Sequence, residues 1–355
     1  MTIVKMKTER VIVAGDVGGT NTTIALMAPE GNSFRIVRKK RYSSQRLKSI
    51  EEAITDSLDE FRKDHPKLEV EACCFSAAGP VRHNRCKLTN VAWPVDGAVI
   101  ARHFKTAAYV INDFSAVCYG LPILNLSDPD EVTPLPHPDG NMPEPYGDVM
   151  AAAGAGTGLG VGFLIRQNGV FQAFPTEAGH TDLAPVDDTM LAFYSFLKQE
   201  LNGDRPGAEL SVSGAGINNL FRFFRSRGDG SDDTLIAAID KAAAPERPPL
   251  ISAGAAEGHP LLQQIMRSFV QMYANFASNT ALSYIPTAGL FLAGGIAAKN
   301  AQFFTEDNLF MRTFLQNYNT NIRTVIEQIP VYIINNYDIS LYGAANAARI
   351  LHSKE

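Results

Sequence analysis

The sequence predicts an α/β protein of two domains, built on a three-stranded start that occurs twice. Three observations carry that expectation. At 355 residues the chain exceeds what one hydrophobic core usually organises. Residues 10–15, with Val11-Ile12-Val13-Ala14 at their centre, read as a buried strand. That strand breaks at Asp16-Val17-Gly18-Gly19-Thr20-Asn21 and resumes over 22–27 as the second arm of a hairpin. Residues 148–153 then restart the pattern, ending in Gly154-Ala155-Gly156-Thr157-Gly158-Leu159-Gly160, with two further strands over 161–166 and 169–174. The two starts lie roughly 140 residues apart and share topology, not residue identity.

The remaining elements follow in order. A third strand is expected over 34–42. A helix comes next, because Ile50, Ala53, Ile54, Leu58 and Phe61 fall on one face at helical spacing. Ser49 and Glu52 stand at capping-box spacing at its start, and Pro66 lies just past its end. Another strand, 68–76, runs into Ala77-Ala78-Gly79-Pro80. Ala108-Tyr109-Val110-Ile111 then drives into Asn112 and Asp113, and 115–120 reads as a helix. Residues 128–146 are polar and proline-rich, which predicts a loop that serves as flap or insertion. Residues 225–259 hold several Gly, Pro and Asp and are expected to be surface loop with one short helix. Leu262, Ile265, Met266, Phe269, Val270, Tyr273 and Phe276 form a core-facing helical stripe. A buried strand over 289–293 ends in Gly294-Gly295, another spans 331–334, and an alanine-rich helix covers 340–351.

Bulk properties exclude several classes. Composition is 45% hydrophobic and 19% charged, with no apolar run near the ~18 residues a membrane helix needs. The first nine residues mix Lys5 and Lys7 with apolar residues and carry no secretory core, so no export signal is expected. Net charge is −5 with no long Lys/Arg block, which argues against a nucleic-acid surface. The basic run from Arg35 to Arg41 is better explained as a protected strand edge. Cys73, Cys74, Cys86 and Cys118 form no C-x-x-C pair, and a reducing, cytoplasmic setting is expected.

Five stretches carry candidate chemistry. A carboxylate at the C-terminal end of a strand faces the crevice where α/β proteins place their sites, which singles out Asp113. Asn112 beside it can grip a polyol, although the same pair also suits a turn or a helix N-cap. In Asp16-Val17-Gly18-Gly19-Thr20-Asn21, adjacent glycines let backbone N–H groups approach an anion, and Thr20 and Asn21 add donors. Asp16 has the wrong sign for phosphate but suits Mg²⁺ beside phosphates. A plain hairpin turn is the alternative. The second loop, Gly154 to Gly160, misses G-x-G-x-x-G because Leu159 stands where the third glycine belongs, and no P-loop occurs anywhere. Two such loops can instead clasp one polyphosphate from both sides. Glu177-Ala178-Gly179-His180 lacks a third clustered metal ligand and fits a diol better, the carboxylate accepting from two hydroxyls and the imidazole fixing a third. Glu209 read alone is a surface or capping residue.

Together these pieces resemble the bacterial glucokinase family of the hexokinase–actin–Hsp70 fold. The likeness runs from Gly15-Asp16-Val17-Gly18-Gly19-Thr20-Asn21 through Gly79-Pro80, Leu88-Thr89-Asn90 with Trp93, and Ile111-Asn112-Asp113-Phe114. It continues through Gly154 to Gly160, Glu177 to His180, Glu209 ahead of Ser213-Gly214, and Leu292-Ala293-Gly294-Gly295-Ile296. The resemblance implies a two-domain actin-like ATPase (ribonuclease H-like) fold with duplicated βββαβα units and an interdomain cleft. Residues 1–122 plus 338–355 would form the smaller domain and 123–337 the larger. It implies transfer of the γ-phosphoryl group of ATP to the 6-hydroxyl of glucose, the first step of glycolysis. Asp113 would be the general base. Asn112, Asp113, Glu177, His180 and Glu209 would hold the sugar. Gly15 to Asn21 would handle phosphates, with Asp16 on Mg²⁺. Gly156, Thr157 and Gly158 would form the second clasp, and Gly294 and Gly295 the adenosine side. A homodimer is the default expectation.

Two positions depart from the family's Gly-Glu-Gly-Gly-His loop: Thr176 and Ala178 replace glycines, giving the looser E-x-G-H form that related sugar kinases and sugar-responsive repressors share. A kinase for mannose or an N-acetylated sugar is therefore the runner-up, but its zinc-bearing relatives cluster cysteines after this loop and none follows Cys118. A sugar-sensing regulator would need a DNA-binding segment before the first glycine loop, where 14 residues precede Gly15. A nucleotide switch of the actin or Hsp70 kind would not require Asn112, Glu177, His180 and Glu209 as a polyol set.

Overall fold

The computed structural model describes residues 10–230 and 233–353. These fall into two compact units, one of residues 10–125, 166–175 and 337–353, the other of 126–165, 176–230 and 233–336.

In the first unit β1 (Arg10–Val17), β2 (Asn21–Glu30) and β3 (Ser33–Ser43) form an antiparallel meander. Helix α1 (Ile50–Arg62) leads into β4 (Glu69–Ala77), which lies parallel to β1. A small three-stranded ribbon follows, made of β5 (Val81–Arg82), β6 (Arg85–Cys86) and β7 (Val95–Asp96). Helix α2 (Gly97–Phe104), strand β8 (Ala107–Asn112) and helix α3 (Asp113–Gly120) complete the run, β8 lying parallel to β4. The sheet order is β3-β2-β1-β4-β8.

Burial explains the order. Val11 to Ala14 are all buried, the continuous apolar run of a central strand covered on both faces. The basic strand β3 is the edge, as expected, and Lys40 reaches back to Asp56 at 2.7 Å and Glu60 at 3.0 Å on α1. The other edge, β8, is blunted by one side chain. Asn84 Nδ2 donates to the Ala108 carbonyl at 2.8 Å, and its Oδ1 accepts from Val110 N–H at 2.6 Å. That amide mimics one residue of a neighbouring strand and hides the edge from other chains. The capping box on α1 is half formed: the Ser49 hydroxyl accepts from Glu52 N–H, but the Glu52 carboxylate accepts from Lys48 N–H instead of Ser49.

The second sheet carries β9 (Val132–Pro134), β10 (Val149–Ala155), β11 (Leu159–Gln167) and β12 (Val170–Thr176). Helices α4 (Asp188–Glu200), α5 (Gly214–Ser226), α6 (Thr234–Lys241), α7 (Arg247–Ala256) and α8 (Pro260–Tyr284) follow. Then come β13 (Leu290–Ala293), α9 (Gly295–Lys299) and β14 (Val331–Ile334). The sheet order is β12-β11-β10-β13-β14-β9. Its first five positions repeat the first sheet: third, second and first strand of a meander, then two strands parallel to the first. The duplication read from the two glycine turns is therefore structural.

Two expectations are corrected. Residues 128–146 are not loop throughout, because β9 adds to the open side of β14 with Val132 opposite Ile334. Pro134 is tolerated there because an edge strand leaves one row of N–H groups unused. Residues 225–259 are mainly helical. Asp233 caps α6 by accepting from Leu235 and Ile236 N–H at 2.8 and 3.0 Å. Pro248 and Pro249 sit in the first turn of α7, where the missing N–H groups have no helical partner. The punctuating residues mark helix starts, not loop. The predicted stripe on α8 is buried at all seven positions.

Candidate active site

The first unit brings the first glycine loop and the Asn112–Asp113 pair to the C-terminal ends of adjacent parallel strands β1, β4 and β8. The loop turns on Gly18 N–H donating to the Asn21 carbonyl at 2.9 Å. Ser44 holds it from beneath: its hydroxyl donates to Gly18 O at 2.7 Å, its N–H donates to Thr20 O at 2.9 Å, and Trp93 Nε1 donates to Ser44 O at 3.2 Å. Asp16, the next-to-last residue of β1, accepts from the Ser76 hydroxyl at 2.7 Å.

Asn112 is the N-cap of α3. Its Oδ1 accepts from Phe114 N–H at 2.9 Å and Ser115 N–H at 3.2 Å, and its Nδ2 donates to Asp113 Oδ1 at 2.8 Å. The capping reading and the polyol reading are thus both open, but with little capacity left. An amide oxygen has two lone pairs and an amide nitrogen two hydrogens, so one N–H donor remains for a ligand. Asp113 is reachable by solvent yet crowded by protein atoms. That crowding raises its pKa, and the nearby negative charge of Asp16 adds to the rise, against the hydrogen bonds from Phe114 N–H and Asn112. A carboxylate so placed is a better proton acceptor than an ordinary Asp.

The second unit gathers the second glycine loop, Glu177, His180 and Glu209. Gly156 N–H donates to Gly158 O at 2.8 Å, and Gly214 N–H, opening α5, donates to Gly156 O at 2.8 Å. Glu209 is no isolated surface residue: its Oε2 accepts from Leu159 N–H at 2.9 Å. The Glu177 and His180 side chains are 94% and 63% exposed and stand 4.0 Å apart, so both are open to a ligand. The departures in this loop have structural uses. Thr176 donates to Val161 O at 3.0 Å and accepts from Ala178 N–H at 3.2 Å, and Ala178 packs on the core.

The glycines divide into two kinds. Gly15 is fixed by packing, since a Cβ there would lie 2.4 Å from the Phe75 ring; Val17, two residues on, is buried. Gly179 is fixed by close approach, since a Cβ there would lie 1.9 Å from Leu159 O, whereas a Cβ on Gly158 would lie 2.5 Å from Glu209 Oε2 and press on the side chain that holds Leu159 N–H. Gly294, ahead of α9, has φ of +88° and would collide with Ala155 O at 2.3 Å. Gly18, Gly19 and Gly156 are different. None of them has positive φ, and a Cβ on Gly156 would meet nothing within 4 Å. Neither backbone strain nor internal packing asks for glycine at 156. A side chain there would only fill the space above the loop.

Residues 13–350 match the family model described as Glucokinase. The chain is 33% identical over 349 residues to the glucokinase of Nostoc punctiforme, covering 95% of this chain and 98% of that protein. Among solved structures, a glucokinase from an Antarctic psychrotroph matches with a TM-score of 0.80 at 25% identity, over 96% of this chain and 98% of that one. A ROK family glucokinase from Streptomyces griseus, solved with glucose and AMPPNP, shares the fold at TM-score 0.62 and 19% identity, over 96% and 99%. The fold is the duplicated α/β fold of the actin-like ATPases, as expected from the sequence.

Proposed function

The chain belongs to the glucokinase family, and we propose that as an ATP-dependent glucose kinase it uses Asp113 as the general base. Asp113 accepts the proton of the glucose 6-hydroxyl while that oxygen forms a bond to the γ-phosphorus and the bond to the β,γ-bridging oxygen breaks. The products are glucose 6-phosphate and ADP. The observation that carries the reading is the raised carboxylate of Asp113 at the strand ends, beside a glycine loop braced by Ser44 and Trp93. Glu177 and His180 offer free polar groups to sugar hydroxyls, and Asn112 offers one donor.

The phosphate-binding roles of 15–21, of Gly156, Thr157 and Gly158, and of Gly294 and Gly295 belong to the same proposal. Gly15, Gly158 and Gly294 serve by shaping backbone, while Gly18, Gly19 and Gly156 leave room for phosphate. Asp16 fits Mg²⁺, which is usually held by one or two carboxylates with substrate phosphates, and Ser76 fixes that carboxylate's orientation. Bound there, the ion would neutralise charge developing on the phosphates. Glu209 is proposed to contact the sugar while its second role, capping Leu159 N–H, ties it to the second glycine loop. The 1–122 plus 338–355 and 123–337 division is proposed as the functional one. So are work in the cytoplasm, at the entry to glycolysis, and as a homodimer. The four free, buried cysteines support a reducing setting. Among the described residues no helix is long and apolar enough to cross a membrane.

The test is ADP release with Mg·ATP and a panel of hexoses. Glucose is expected to give the highest kcat/KM, ahead of mannose and N-acetylglucosamine. A higher value for either would reassign the substrate, and no turnover with any hexose would overturn the enzyme reading. The second glycine loop has its own test. Gly156→Ala should leave the melting temperature within a few degrees, because the added Cβ meets no protein neighbour. It should raise KM for ATP roughly tenfold or more, about 1.4 kcal/mol of binding. An unchanged KM would remove this loop from the nucleotide site.

A further inference from the structure

The first unit holds a pocket that the proposed reaction leaves unused. It lies beside the C-terminal helix Ile339–His352, has a volume of about 300 Å³, and all its lining residues belong to that one unit. Pro122, Ile123, Val170, Phe171 and Ile350 give it apolar walls, and Arg349 is its one charged lining residue among those described.

Arg349 is half buried and has no carboxylate partner among the described residues. Its Nη2 donates to Asn32 O at 2.9 Å and to Asn346 Oδ1 at 2.7 Å, and the guanidinium lies 4.8 Å from the centre of the Phe34 ring. Two of the five guanidinium N–H donors are therefore used, and those on Nε and Nη1 are left. Burial lowers the pKa of this group, the mark of a cation desolvated without a compensating anion.

We propose that this pocket is a regulatory site for a small phosphate monoester, the phosphate accepting from Arg349 and the carbon body lying on the apolar walls. Three chemical points select that class. The charged wall is cationic and wants an anion. Arg349 keeps uncommitted donors on Nη1, and a phosphate dianion, with more charge than a single carboxylate, gains more from a desolvated cation. The volume sits at the small end of ligand pockets, in which a three- to six-carbon phosphate fits.

The pocket's place in the fold supplies the regulatory part. Asn346, which positions Arg349 through Oδ1, donates through Nδ2 to the Tyr119 carbonyl at 2.8 Å. Tyr119 is in the last turn of α3, and the Leu121–Ile123 turn that follows contributes Pro122 and Ile123 to the pocket. The helix that ends at the pocket begins with Asp113.

The experiment is calorimetric titration of glycerol 3-phosphate into the full chain, with glucose and AMPPNP saturating so that the glycine loops are occupied. One site is expected at up to millimolar ligand. Arg349→Gln should weaken it at least tenfold, and Val170→Trp, which fills the pocket and leaves the Arg349 side chain present, should do the same. Malate should bind at least tenfold more weakly than glycerol 3-phosphate. In the kinetic assay, saturating glycerol 3-phosphate should change kcat or the KM for glucose at least twofold in wild type and not in Arg349→Gln. No binding by wild type, or equal binding by both variants, would overturn the site. Equal binding of malate would overturn the phosphate assignment, and binding without a kinetic effect would overturn the regulatory role.

Discussion

Asp113→Asn should lose between about 10² and 10⁴ of kcat while still binding glucose, the range that a positioned general base contributes. The substitution is close to isosteric, and the local bonds survive it. An amide oxygen at position 113 can still accept from Asn112 Nδ2 and from Phe114 N–H, as Oδ1 does now. Helix α3 keeps its N-cap, because Asn112 Oδ1 makes that contact. The variant therefore separates chemistry from folding: melting temperature and sugar affinity should stay near wild type while turnover collapses. Retained turnover would mean that another group takes the proton.

The pH dependence of the wild type tests the same residue. The base works only when deprotonated, and crowding and Asp16 together hold its pKa above the usual carboxylate range. The acid limb of kcat/KM should thus lie above the ~4 of an unperturbed Asp, with rate falling as pH falls through it. A profile that stays flat down to that ordinary range would contradict the raised pKa.

How much of this was legible beforehand depends on the kind of signal each residue gives. The meanders were readable as apolar runs broken by glycine turns, and α8 because its apolar residues repeat at 3.6 spacing over a long window. Both glycine turns were visible as glycines, but their differing reasons were not. Gly179 is required by the carbonyl of Leu159, and Gly158 leaves room for the carboxylate of Glu209, partners 20 and 51 positions away that no local pattern reveals. Glu209 looked like a surface residue for the same cause: its partner, Leu159 N–H, is distant in sequence. The helices α6 and α7 were misread because Asp, Pro and Gly signal both loops and helix starts. β9 was missed because three residues of edge strand carry no period.

The second large effect is expected at a residue with no direct part in the chemistry. Gly343, in the C-terminal helix, packs against α3 so closely that a Cβ would lie 1.7 Å from Ala116 O and 2.7 Å from both Ala116 C and Gly120 N. Two influences oppose each other in Gly343→Ala. Alanine is the better helix former by about 1 kcal/mol, which alone would stabilise the protein. The collision is with backbone, which cannot swing aside as a long side chain could, and overpacking of this kind costs about 1–3 kcal/mol or more. The collision should win, and the midpoint of chemical denaturation should fall. Relief requires the two helices to separate, but Asn346 Nδ2 on Tyr119 O, and Gly120 against Ile339, hold the same pair together one turn away on either side. Any shift therefore carries α3 with it, and α3 begins with Asp113. Gly343→Ala should accordingly lower kcat in the fraction that remains folded as well as lowering stability. A variant as stable as wild type would show that the two helices do not approach this closely. One that is less stable but has unchanged kcat would show that α3 gives way at its far end without moving the base.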